Sequence, residues 1–131
     1  MSQSVWVAVG VIFHPGRKEV LLAKRPVDKH QGGLWEFPGG KVDAGEMVEQ
    51  ALSRELFEEL ALTVTHAQPL IKIEHDYIDK SVILDVWLVD GFTGAPIGAE
   101  GQVVRWVSLN DLAGYEFPEA NQPILDAIAH L

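Results

Sequence analysis

The chain has 131 residues, 47% of them apolar, which suits one domain with a buried core and is too apolar for a disordered segment. It carries no cysteine, which excludes a disulfide framework and thiolate metal sites, and it has no run of about 18 apolar residues of the kind that spans a membrane. Its 10 basic and 19 acidic residues give a formal charge of −9 without a basic stripe, an argument against a nucleic-acid polymer as partner; a small anionic substrate stays open if metal ions screen the carboxylates.

The first residues, Met-Ser-Gln-Ser-Val-Trp, show neither a basic region nor a signal-peptide core, which fits a cytoplasmic protein. Residues 5–13 read as a buried strand, 14–18 as a turn and 20–24 as a second strand, so the pair predicts a hairpin. Residues 25–34 form a polar loop holding Pro26, Gly32 and Gly33. Trp35-Glu-Phe-Pro-Gly-Gly leads through a short extended piece into a helix over about 47–60. Pro69 predicts an interruption of the next stretch, after which 71–77 and 82–89 read as strands paired across a turn at 78–80. Asp85 breaks the apolar run of the second of these and is expected to face solvent. Residues 91–101, with four glycines and a proline, read as a loop, and 103–107 as a further strand. Ser108 is expected to cap a short helical turn, and Asn121, with Pro123 in the first turn, to cap a last helix. His14, His66, His75 and His130 lack ligand-like spacing and are read as structural or surface residues, and most of the four tryptophans as core, with Trp35 bordering a ligand pocket. Interleaved strands and helices without a linker or repeat predict a single α/β domain over 1–131, a mixed sheet covered by helices.

The helix carries the most informative pattern. From Val48, a core-facing stripe calls for apolar residues at 48, 51, 52, 55, 58 and 59. Val48, Ala51 and Leu52 comply; Glu55, Glu58 and Glu59 occupy the rest. Three like charges on a face meant for burial resist desolvation and repel one another, which calls for a hard divalent cation held by oxygen ligands.

The spacing Gly40-x5-Glu46-x7-Arg54-Glu55-Leu56-x-Glu58-Glu59-x-Ala61-Leu62 resembles the Nudix box, the signature of hydrolases acting on nucleoside diphosphates linked to another moiety. One position departs: the family usually has glycine where this chain has Ala61, and that glycine would end the helix in a left-handed conformation that alanine adopts at a cost of about 1 kcal/mol. The resemblance implies the Nudix fold, a mixed β-sheet sandwiched between α-helices. It assigns Mg²⁺, with Mn²⁺ as a substitute, to Glu55, Glu58, Glu59 and the Gly39 carbonyl, and makes Arg54 and Glu46 supports of the acidic cluster; the general base varies across the family, Glu55 is the preferred one here, and Arg54 and Glu58 complete the catalytic candidates. The chemistry agrees, because cleaving a phosphoanhydride needs charge neutralisation, an electrophilic phosphorus and an activated water.

Beyond the box, the chain resembles the branch of the family that hydrolyses 8-oxo-dGTP to the monophosphate and pyrophosphate. Arg25 and His30 fall where that branch contacts the nucleotide, and Glu36, Phe37, Pro38 and Gly39 where it lines the purine site. Glu100 matches a further metal-site glutamate, and Asn121 the asparagine that meets the oxidised guanine. Asn presents one acceptor and two donors, which suits O6 and N7–H of 8-oxoguanine. The alternatives are a pyrophosphohydrolase of a cytidine or other modified nucleotide, and a non-catalytic binding module. The expected partner is a small nucleoside triphosphate, with the protein a monomer free of membrane.

Overall fold

A computed structural model of the chain describes residues 3–26 and 32–131. In chain order these form β1 (Gln3–Ile12), β2 (Glu19–Lys24), β3 (Trp35–Glu36), β4 (Gly39–Lys41), α1 (Val48–Leu60), β5 (Thr63–Asp76), β6 (Lys80–Thr93), β7 (Val104–Ser108) and α2 (Gln122–Ala129), with short 3₁₀ turns at Leu109–Gly114 and Glu119–Asn121. A four-stranded sheet has the order β4-β1-β6-β5, and a three-stranded one the order β3-β2-β7. The first sheet is mixed, because β1 runs parallel to β6 and antiparallel to β4.

Alternation along β1 sends side chains to two cores. Val9 and Val11 pack with Val86, Phe37, Ile124 and Ile128, on the side covered by α2. Ala8 and Ile12 pack with Leu52, Leu56, Leu60 and Val89, on the side covered by α1. Helices therefore cover opposite faces of a mixed sheet, the expected architecture. Among the described residues, no helix is long and apolar enough to cross a membrane.

Three local expectations need correction. Residues 5–13 and 20–24 do not form a hairpin: β1 and β2 lie in different sheets, and the one ladder pair between the two segments is Phe13 with Val20, just past the end of β1. The β1 partner is β6, far along the chain, and burial on both faces decides the pairing over proximity. Pro69 does not interrupt β5, which runs through it; β5 is an edge strand, and a register irregularity between Pro69 and Ile71 absorbs the missing donor. Asp85 does not face solvent: it is buried, and the indole N–H groups of Trp6 and Trp87 donate to its two oxygens at 3.2 and 2.9 Å.

The turn from 78 to 80 joins two strands longer than expected, Thr63–Asp76 and Lys80–Thr93, which shortens the glycine-rich loop at its front. Ser108 caps its 3₁₀ turn by accepting from the Asn110 amide at 3.3 Å. Asn121 precedes α2 without any side-chain capping bond.

Candidate active site

The helix α1 buries Ala51, Leu52, Leu56 and Leu60. At about 100° per residue, Glu59 lies about 20° from Leu52 and Glu55 about 60°, whereas Glu58 lies about 120° away. The stripe thus continues through Leu56 and Leu60 and not through position 58. Glu55 and Glu59 face the sheet; the Glu58 side chain is 53% exposed, which corrects its expected inward position.

One guanidinium organises the outer carboxylates. Arg54 donates from Nε and Nη2 to the two oxygens of Glu46 at 2.9 and 3.0 Å, from Nη1 to Glu55 at 2.8 Å and Glu58 at 3.4 Å, and from Nη2 to the Lys41 carbonyl at 3.0 Å. Such a planar fork fixes geometry as well as charge. The Asp43 amide also donates to Glu46, at 3.0 Å. The Arg54 hydrogen bond, helped by that amide, holds the Glu46 carboxyl down at about 2 and keeps Arg54 itself above its usual range. Arg54 is therefore a clamp that joins β4, the loop before α1 and the helix.

Glu59 behaves in the opposite way. Burial, reinforced by the charges of Glu55, Glu100 and Glu36, pushes its carboxyl up to about 8, and a backbone hydrogen bond from Gly39 offsets part of this. The ionised form of Glu59 is short of positive charge, and the carboxylates of Glu55, Glu100 and Glu36 lie near enough to act on it. Among the described residues, no three acidic or imidazole side chains are already drawn together into a metal cage. The donor set nonetheless fits a hard divalent cation, which would supply the charge that Glu59 otherwise takes from a proton. Two glycines make the approach possible. A Cβ at Gly39 would lie 2.0 Å from the Ala8 carbonyl oxygen, and one at Gly40 would lie 2.3 Å from the Glu55 carboxylate.

A cleft of about 610 Å³ opens beside these groups, lined among others by Arg25, Glu36, Phe37, Gly39, Glu59 and Asn121. Five of the expected nucleotide contacts are brought together there. Arg25 donates to Glu36 at 2.7 Å, so the two form one wall. Phe37, 4% exposed, stacks on Phe117 with ring centroids 5.4 Å apart. Pro38 is buried behind the wall, its carbonyl accepting from the Gly10 amide at 2.8 Å, and it does not line the cleft. His30 lies outside the described residues. Glu100 sits in the exposed loop after β6, near enough to act on Glu59. Trp35 does not border the cleft: it packs edge-on to Tyr115 at 5.2 Å, with the Arg105 guanidinium over its ring at 4.9 Å.

Polar and charged residues that no sequence motif marks also line the cleft, among them Lys41, His75, Tyr77, Asp79 and Lys80. His75, expected to be structural or on the surface, forms the tip of the β5–β6 hairpin with Tyr77 and Lys80, and its ring meets that of Tyr77 edge-on at 4.7 Å. No local signal marks these residues, because the placement of the hairpin beside β1 and β4 is what turns them toward the cleft.

A model of the NUDIX domain matches residues 8–127. An 8-oxo-dGTP diphosphatase of Escherichia coli is 39% identical over 95% of this chain and 96% of its own length. A CTP pyrophosphohydrolase of the same organism is 35% identical over 95% of this chain and 91% of its own. A solved structure from a study of MutT from Aliivibrio salmonicida and Vibrio cholerae superposes with a TM-score of 0.86 at 45% identity, covering 98% of this chain and all of that one. With its carboxylate helix, its glycine pair and this breadth of similarity, the chain belongs to the Nudix family.

Proposed function

We propose that the chain is a Mg²⁺-dependent nucleoside triphosphate pyrophosphohydrolase whose preferred substrate is 8-oxo-dGTP, removing the oxidised nucleotide from the cytoplasmic pool as a monomeric, single-domain enzyme. The observation that carries this reading is the position of Asn121. Its side chain makes no capping bond, and it lines the same cleft as Phe37, Gly39 and Glu59. A base-reading amide and the carboxylate end of the site therefore share one cavity. The similarity to the E. coli 8-oxo-dGTP diphosphatase supports the same substrate.

In this reading Glu55, Glu59, Glu100 and the Gly39 carbonyl would hold the cation, with Glu58 joining from the rim. The cation supplies charge neutralisation for the polyphosphate and polarises the phosphorus. Water attacks the β-phosphorus, the bond to the α-phosphate oxygen breaks, and nucleoside monophosphate and pyrophosphate leave. Glu55, held against Gly40 by Arg54, takes the proton from that water. Arg25, Lys41 and Lys80 place positive charge along the cleft walls for the phosphates. Phe37 offers an apolar face to the base, and the Asn121 carboxamide pairs with its polar edge.

The similarity to the CTP pyrophosphohydrolase favours a second reading, the same reaction on a cytidine nucleotide. One assay separates the two: 8-oxo-dGTP, dGTP and CTP turned over in parallel with Mg²⁺ and pyrophosphate as readout. Preference for 8-oxo-dGTP over dGTP is expected. Equal turnover of those two, or faster turnover of CTP, overturns the substrate assignment.

A further inference from the structure

The Glu100 side chain is exposed, and the loop that carries it has no strand or helix of its own to hold it. The loop is fastened instead to the C-terminal end of α1, where carbonyl groups lack intrahelical partners. The Ile97 amide donates to the Leu60 carbonyl at 3.0 Å and the Ala99 amide to the Glu59 carbonyl at 3.0 Å. Neither bond reaches Glu100. That link comes from a side chain: Gln102 Oε1 accepts from the Glu100 amide at 2.9 Å, while Gln102 Nε2 donates to the Glu59 carbonyl at 3.0 Å.

We propose that Gln102 is a positioning residue that ties the backbone of Glu100 to the backbone of Glu59, so that the two carboxylates are held to one cation. The proposal rests on the metal reading above. A carboxamide suits the task because it offers an acceptor and a donor at once; a carboxylate lacks the donor and an aliphatic chain lacks both. The loop itself is tightly turned: Gly101 has φ of +83°, a backbone conformation that favours glycine, and a Cβ at Gly98 would come within 1.9 Å of the Gln102 backbone carbonyl oxygen.

The test is Mn²⁺ uptake followed by electron paramagnetic resonance, with Mn²⁺ alone and no nucleotide, on the wild type and the Q102M, E100Q, E59Q and Q102M/E100Q variants. Q102M and E100Q should each weaken Mn²⁺ about tenfold, the scale of losing a group that orients a ligand. The double variant should bind no more weakly than E100Q, because Gln102 acts through Glu100. Wild-type uptake by Q102M, or losses that multiply in the double variant, overturns the inference while leaving the metal reading standing if E59Q is impaired. Wild-type uptake by E59Q overturns the metal reading and the inference with it. Amide hydrogen exchange in the cation-free wild type needs no variant: the Glu100 N–H should exchange at least about tenfold more slowly than in an unstructured chain. Exchange at the unstructured rate overturns the bridge.

Discussion

The Glu55 carboxylate lies directly against the α-carbon of Gly40, so close that a Cβ there would fall 2.3 Å from it. Arg54 holds the carboxylate in that place through a 2.8 Å bond, so it cannot swing aside without breaking the clamp. Gly40→Ala should therefore displace Glu55 by about 1 Å and lower kcat about 100-fold, since misplacement on that scale costs about two orders of magnitude. The fold should survive, because the clash falls on the end of a side chain. Pyrophosphate release and thermal unfolding measured on the same preparation check this; wild-type kcat would refute it.

Glu59 and Glu46 give opposite pH dependences. The folded Glu59 carboxyl is raised to about 8 from an ordinary 4.5, so the folded state binds the extra proton between those values. Its contribution to stability is whole below about 4.5 and is lost as pH rises through about 8. Glu46 is lowered to about 2, so its contribution is present above 4.5 and lost as pH falls through about 2. Cation-free protein should therefore unfold at lower temperature at pH 8 than at pH 5. Glu59→Gln should flatten that slope, and Mg²⁺ should oppose it by replacing the proton. Thermal scans at the two pH values, with and without Mg²⁺, decide the matter, and a Glu59→Gln slope equal to wild type would sink it.

The helix periodicity and the Nudix-box spacing make much of this legible in the sequence. The mixed sheet, α1, the Ser108 cap and the grouping of Glu36, Phe37, Gly39 and Asn121 all follow from local pattern or from resemblance. What was not legible depends on long-range choices. Asp85 reads as a solvent-facing position because its donor Trp6 lies 79 residues away. Glu58 is expected inward because a stripe begun at Val48 does not reveal that Leu56 and Leu60 continue it. His75 and Lys80 gave no sign at all, since the sheet order alone brings that hairpin tip to the cleft.

Ala61 ends α1 with φ of 59° and ψ of 31°, the only non-glycine residue with positive φ among those described. This is the left-handed conformation expected where the family usually has glycine. Alanine is disfavoured there by about 1–2 kcal/mol, and glycine gives back part of that through its freer unfolded chain. Ala61→Gly should stabilise the protein by about 1 kcal/mol and leave kcat unchanged. Chemical denaturation with urea measures the difference; an equal or lower midpoint refutes it.

Asn121 stands at the start of α2, where an asparagine side chain ordinarily caps the helix and where replacement by alanine ordinarily costs about 1 kcal/mol. Here the side chain makes no capping bond and lines the cleft. Asn121→Ala should therefore change unfolding free energy by less than about 0.5 kcal/mol, since no cap is lost. Its effect should fall on the substrate. A site built to pair with a polar edge loses discrimination when its partner is removed, because the oxidised base then leaves a buried donor unpaired. The ratio of kcat/KM for 8-oxo-dGTP over dGTP should fall at least about tenfold, mostly through the oxidised nucleotide, one lost hydrogen bond being worth about 1–2 kcal/mol. If instead stability drops by about 1 kcal/mol with the ratio unchanged, Asn121 is a helix cap and the base is read by another group.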